Sequence, residues 1–236
     1  MNKILLVTGA SSDIGIEIIK NTCQNYSKII AHYNTRPGEL EQIKEELGGK
    51  VCLLKSDFSD EGSIKDFITK VSDIGCPHHI VHLSASKYRL NNFTKLDNKD
   101  FKKDLSIQLN SIYLILQSFI KQMSKTDNSR IIFMLSTVTQ NTPKYTTNYS
   151  TIKFGLLGLM KALASEYAGK ININAISPPL METKFLSEIP ELVVQQNAKN
   201  SIFGRNATVK DIAPIFEFLL SEKSHFITGQ NIIIEN

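Results

Sequence analysis

Ile4-Leu5-Leu6-Val7-Thr8-Gly9-Ala10-Ser11-Ser12-Asp13-Ile14-Gly15 decides the fold of this chain. A short apolar run of strand length opens into a turn with two glycines, and a helical pattern follows over Ile14–Gln24. Such a turn presents free backbone N–H groups and the positive end of a helix dipole, which suit a pyrophosphate. Gly9 permits the tight turn, and Gly15 permits the helix to pack closely on the strand. A plain strand-turn-helix with a Ser or Asp cap is the simpler alternative. Position decides between them: the turn follows the first of seven strand-like runs.

Those runs are Ile4–Val7, Lys28–His32, Val51–Leu54, His79–Leu83, Arg130–Leu135, Ile171–Ile176 and Asn231–Ile234. Amphipathic stretches of helical length separate them, at Ile14–Gln24, Gly38–Leu47, Glu61–Ile74, Phe101–Met123, Tyr149–Ala168 and Thr208–Leu220. Strands alternating with helices require crossover connections and a parallel sheet covered on both faces. The expectation is an α/β, doubly wound, seven-stranded parallel sheet flanked by helices. No repeat, low-complexity tract or linker divides it, so 1–236 is expected to be a single domain. The least regular region is Ser177–Arg205, opened by Pro178-Pro179. It lies beyond a strand's carboxyl end, where open α/β sheets bind ligands.

Composition narrows the function classes. The 42% hydrophobic and 21% charged fractions over 236 residues are those of a soluble globular protein. No run approaches the 18 or so apolar residues of a membrane span. The N-terminal apolar run lacks the length and cleavage site of a signal peptide. Cys23, Cys52 and Cys76 are too few and scattered for a disulfide framework or a zinc site, so a cytoplasmic setting is expected. The net charge of +4 is dispersed lysine rather than a nucleic-acid footprint. The histidines His32, His78, His79, His82 and His225 show no metal-ligand spacing, so no metal is expected.

One further constellation carries chemistry. In Tyr149-Ser150-Thr151-Ile152-Lys153 the tyrosine and lysine share a helix face, and Ser136 stands 13 residues before the tyrosine. A nearby ammonium stabilises a tyrosinate, so Lys153 is expected to lower the Tyr149 pKa and fit it for proton transfer to a carbonyl.

With these residues in order, the chain resembles the short-chain dehydrogenase/reductase family over nearly its whole length, and is similar to its 3-oxoacyl-(acyl-carrier-protein) reductases. Thr8, Gly9 and Gly15 match the family's glycine turn. Asn110, Ser136, Tyr149 and Lys153 match its catalytic tetrad, and Asp57 its adenine-contacting aspartate. Leu83-Ser84-Ala85-Ser86 occupies the place of Asn-Asn-Ala-Gly, and Pro178 and Thr183 resemble residues near the nicotinamide. Ile202-Phe203-Gly204-Arg205 and Ile227-Thr228-Gly229-Gln230 resemble later landmarks. The resemblance implies a Rossmann-type fold with Thr8, Gly9, Ser11, Ser12, Asp13, Ile14, Asn34, Arg36, Asp57, Phe58, Ser84, Ala85, Tyr149, Lys153, Pro178 and Thr183 at the cofactor.

Three departures stand out. Asp13 replaces the middle glycine and is expected to turn from the phosphates and cap the helix. Leu83-Ser84 removes two asparagine amides that would tie the fourth strand to the helix carrying Asn110. Pro179 replaces a glycine at the nicotinamide edge.

NADP(H) is preferred over NAD(H). The second strand ends in His32-Tyr33-Asn34-Thr35-Arg36 without the carboxylate that would bind ribose hydroxyls and repel a 2′-phosphate. Asn34, Thr35 and Arg36 would instead bond and neutralise that phosphate.

The implied activity is reduction of a ketone, with Ser136 orienting the carbonyl, Tyr149 donating the proton, Lys153 holding the ribose and Asn110 anchoring a water. The substrate is a small-molecule or carrier-linked carbonyl, such as a 3-oxoacyl thioester. Two alternatives stand beside it: a sugar or polyketide-like intermediate, and a non-catalytic NADP-binding scaffold. Lys87-Tyr88-Arg89 either lines the pocket mouth, favouring an anion, or is solvated loop. Apolar surface on Phe101–Met123 and Tyr149–Ala168 suits a homodimer or homotetramer.

Overall fold

The structure is a computed structural model that describes residues 3–235. Met1, Asn2 and Asn236, the ends of the expected 1–236 domain, lie outside the described residues. All seven expected strands are present: β1 (Ile4–Thr8), β2 (Lys28–Tyr33), β3 (Val51–Lys55), β4 (His79–His82), β5 (Ser129–Met134), β6 (Ile171–Ser177) and β7 (Asn231–Ile233). They pair in parallel in the order β3-β2-β1-β4-β5-β6-β7.

The pleat explains why the central strands read as unbroken apolar runs. Successive side chains point to opposite faces, and helices cover both. Leu5 and Val7 of β1 join one core layer, while Leu6 joins the other. The first layer includes α1 (Asp13–Thr22), α2 (Leu40–Leu47) and the apolar face of a later helix, Val209–Leu220. The second is built from α3 (Glu61–Ile74) and two long helices that follow β4 and β5. Each fully buried Leu or Ile in these layers contributes about 1.5–3 kcal/mol.

The expected helix at Phe101–Met123 differs in detail. It runs as α4 (Asn98–Leu105), a π turn over Ser106–Asn110, and α5 (Ser111–Met123). In the π turn the Ser111 N–H bonds the Ser106 carbonyl, one residue further back than in an α-helix. α6 (Thr147–Glu166) starts two residues before Tyr149. The region after β6, read as irregular, contains α7 (Glu191–Asn200) before α8 (Val209–Leu220) closes on α1.

The chain reverses its direction of winding between β1 and β4, and a crevice at such a switch point is where this architecture binds ligands. Among the described residues no helix is long and apolar enough to cross a membrane.

Candidate functional site

The turn after β1 is set by two glycines that admit no side chain. Gly9 has φ +67°, and a Cβ there would lie 2.8 Å from the Ser84 nitrogen at the end of β4. A Cβ on Gly15 would lie 2.6 Å from the Ala10 carbonyl oxygen. Ser12, in extended backbone, caps α1: its Oγ accepts the Gly15 N–H at 3.2 Å and donates to the Gly9 carbonyl at 2.7 Å. The N–H groups of Asp13 and Ile14 begin the helix without intrahelical acceptors.

Asp13 is therefore not the cap. It is already helical, and its carboxylate reaches outward to the segment after β6. Oδ2 accepts the Lys184 backbone N–H at 2.9 Å, and Oδ1 lies 3.4 Å from the Lys184 ammonium.

Two buried imidazoles grip the turn from either side. His32 at the end of β2 accepts the Gly9 N–H on Nδ1 at 3.0 Å, and its Nε2–H donates to the Ser56 carbonyl at 3.0 Å. His82 pairs in register with Thr8. Its Nδ1 accepts the Thr8 hydroxyl at 2.7 Å, and its Nε2–H donates to the Gln108 carbonyl at 2.7 Å. A carbonyl only accepts, so both rings carry their proton on Nε2. Burial lowers the His32 pKa to about 4 and the His82 pKa to about 3, which keeps both neutral.

The other side of the crevice carries the constellation around Tyr149. Ser136 follows β5 and caps the short turn Thr137–Thr139. Tyr149 and Lys153 lie on adjacent turns of α6, with the Lys153 Nζ 5.4 Å from the Tyr149 ring centroid. Lys153 is only 4% exposed and donates to the Met134 carbonyl at 3.0 Å. Burial lowers its pKa to about 7. The Tyr149 phenol is held well above its usual value, first by burial; the Ser136 hydrogen bond opposes this and Tyr88 adds to it. This reverses the expected depression by Lys153: burial dominates, and a lysine whose own pKa is about 7 carries no charge in the range where the phenol would ionise. Asn110 ends the π turn, against which α6 packs.

An aromatic cover lies over the phenol. Tyr88 stands edge-on to Tyr149 with ring centroids 4.7 Å apart, and Phe185 flanks them at 6.2 and 6.3 Å. Lys87 and Arg89 both bind Glu188, at 2.7 and 2.9 Å, so the loop after β4 is pinned to the segment after β6. Neither of the two readings of Lys87-Tyr88-Arg89 anticipated that pairing.

The remaining expected cofactor residues are spread around this crevice. Ser11, Asn34, Arg36, Asp57 and Ala85 are exposed. Asp57 accepts from the Ser59 N–H and hydroxyl, which lower its pKa. The Phe58 ring is buried and stacks on His32 at 3.8 Å. Ser84 is buried, and its hydroxyl has no hydrogen-bond partner among the described residues. The Pro178 carbonyl accepts the Thr137 N–H, and Thr183 lies just before Lys184. The close approach at Gly9, the open N–H groups of α1 and the unpartnered Ser84 hydroxyl fit a dinucleotide laid across the switch point. Among the described residues no cluster of three metal-ligating side chains occurs.

Sequence reasoning missed His32, His82, Phe185 and Lys184. His82 had one usable signal: it ends the fourth strand, which neighbours β1 wherever the strand order runs 3-2-1-4.

The chain is similar to known proteins over nearly its whole length. A family model described as enoyl-(acyl carrier protein) reductase matches residues 9–236. The 3-oxoacyl-(acyl-carrier-protein) reductase FabG of Chlamydia pneumoniae is 29% identical over 239 residues, covering 100% of this chain and 96% of its own. An actinorhodin polyketide ketoreductase variant solved with NADPH superposes with a TM-score of 0.88 at 20% identity, over 99% of this chain and 95% of that one. The ligand-free aldohexose dehydrogenase of Thermoplasma acidophilum superposes with a TM-score of 0.86 at 21% identity, over 99% and 92%.

Proposed function

The chain belongs to the short-chain dehydrogenase/reductase family of oxidoreductases, and from that premise we propose that it is an NADPH-dependent ketone reductase whose proton donor is Tyr149. The observation that carries the reading is the meeting of Ser136, Tyr149 and buried Lys153, beyond β5 of the same parallel sheet whose first strand feeds the Gly9 turn. When bound, the nicotinamide supplies the hydride.

This chain's own residues do the rest. The α1 N-terminus, Ser11 and Ser12 hold the pyrophosphate, and Asn34 and Arg36 hold the 2′-phosphate. Ser136 orients the substrate carbonyl, and Tyr149 delivers its phenolic proton to the carbonyl oxygen. A phenol held above its usual pKa keeps that proton at neutral pH. Lys153 holds the ribose, and the π turn ending at Asn110 anchors the water that restores the proton.

A 3-oxoacyl thioester is the substrate favoured by the similarity to FabG. One observation favours a second reading, a neutral sugar or polyketide-like ketone. Lys87 and Arg89 are already paired with Glu188, Arg89 also lies 3.9 Å from Asp100, and two aromatic rings flank the phenol. The non-catalytic scaffold is set aside, because the family is one of oxidoreductases. Tyr113 on α5 and Phe154 on α6, exposed at 48% and 45%, support pairing of these helices between subunits. A cytoplasmic enzyme is consistent with three free cysteines among the described residues.

Transfer of deuterium from NADPH labelled at C4 into the alcohol product tests the reading. Label in the product carbon supports it. Unlabelled product, or no product from either substrate class, rejects it.

A further inference from the structure

We propose that His32 and His82 are a pair of positioning residues that divide the reaction between them: His32 sets the glycine turn for cofactor binding, and His82 locks the π turn that presents Asn110 for proton delivery. The proposal rests on the ketone-reductase reading.

The two rings lie on β2 and β4, the strands that flank β1, and they are 3% and 1% exposed. Each uses both nitrogens, accepting from the β1 turn and donating to a main-chain carbonyl of a neighbouring element. Their outer partners differ, and that difference assigns the labour. His32 ties the Gly9 N–H to Ser56, next to Asp57 on the expected adenine side. His32 also holds the turn with its main chain, since its carbonyl accepts the Ala10 N–H at 2.8 Å.

His82 ties Thr8 to Gln108, inside the π turn. The π turn breaks the regular α-helical ladder, and a carbonyl within it can take a partner from outside the helix. The Gln108 carbonyl finds one in a charge-neutral imidazole at 2.7 Å. Two asparagine amides were expected to make the tie between strand and helix, and Leu83-Ser84 lacks them. His82, one position earlier, supplies it. Shifting the π turn would move Asn110 and the carbonyls facing α6, while the glycine turn keeps its two bonds to His32.

The test compares wild type with His82→Leu, His82→Gln, His32→Leu and His32→Asn. NADPH affinity is read by the fluorescence of the bound nucleotide, and turnover with a short 3-oxoacyl thioester or an uncharged cyclic ketone, whichever the wild type accepts. Losing a buried hydrogen-bonding partner is expected to cost about tenfold in whichever parameter it supports. His82→Leu should lower kcat about tenfold with little change in NADPH Kd, and His82→Gln, whose amide N–H can still reach Gln108, should recover most of it. His32→Leu should raise NADPH Kd about tenfold, and His32→Asn, whose carbonyl can still accept from Gly9, should restore it. Equal losses in both parameters for both Leu variants, without rescue, would mean a merely structural role and overturn the proposal. Should Leu variants fail to fold, the Gln and Asn variants decide: a His82→Gln enzyme no better than one-tenth of wild-type kcat overturns it too. A wild type that binds no NADPH would instead remove the reading on which the proposal rests, and the proposal with it.

Discussion

The Asp13 carboxylate, on the first turn of α1, holds the backbone N–H of Lys184 at 2.9 Å and so straps the segment after β6 to the glycine turn. The ammonium of Lys184, 3.4 Å from Oδ1, is 86% exposed and adds little to that strap. Replacing Asp13 by Ala should free the peptide at Lys184 and speed tryptic cleavage there several-fold, while Asp13→Asn, which keeps an acceptor, should not. Mass spectrometry of timed digests reads the site. Equal cleavage rates in all three proteins would show that the strap carries no weight.

Lys153 gives a stability prediction with a definite sign. Its folded pKa of about 7 lies below the ordinary 10.5, so between those values the unfolded chain binds more protons and stability rises with pH. At pH 7 and below, the full cost of burying the ammonium applies. Lys153→Met should remove that cost. Its melting temperature should exceed that of wild type at pH 7, and the gap should shrink by pH 10; each 1 kcal/mol corresponds to about 2–4 °C at this size. A gap that stayed constant across the window would contradict the depressed pKa.

Tyr88 supplies the pH prediction for catalysis. Burial raises the Tyr149 pKa, and the ring and charge of Tyr88 contribute to it. In the proposed reaction the phenol must be protonated, so activity should fall as pH rises through that pKa. Tyr88→Ala admits water and should move this alkaline limb to lower pH. An unmoved limb in the kcat profile would show that the aromatic cover does not desolvate the phenol.

Gly15 tests the closeness of α1 to its turn. A Cβ would sit 2.6 Å from the Ala10 carbonyl oxygen, which backbone cannot yield without shifting. Gly15→Ala should weaken NADPH binding at least tenfold and lower stability by about 1–3 kcal/mol. Titration of nucleotide fluorescence and urea unfolding check the two parts separately.

Most of the fold is legible in the sequence because the strands are apolar on both faces and the helices on one. That contrast survives any uncertainty at element ends, and it placed all seven strands. The π turn is not legible, since one extra residue in a helical turn leaves composition and periodicity almost unchanged. The partner of Asp13 lies 171 residues away, beyond the reach of local pattern, so a helix cap looked the nearest use for its carboxylate. His82 looked isolated because its partners belong to β1 and the π turn, which only the parallel register brings together. The Tyr149 constellation was legible by spacing, but the sign of its pKa shift was not. Spacing records a lysine one turn away, and says nothing of Tyr88 and Phe185 closing over the ring.

The central claim is that Tyr149 delivers a proton while NADPH reduces a ketone. NADPH oxidation should therefore be measured with a short 3-oxoacyl thioester and with an uncharged cyclic ketone, for wild type and Tyr149→Phe, with NADH in parallel. The account predicts turnover of at least one ketone, faster with NADPH than NADH, and a loss of at least a hundredfold in the variant that still binds NADPH. Equal turnover by wild type and Tyr149→Phe would contradict it.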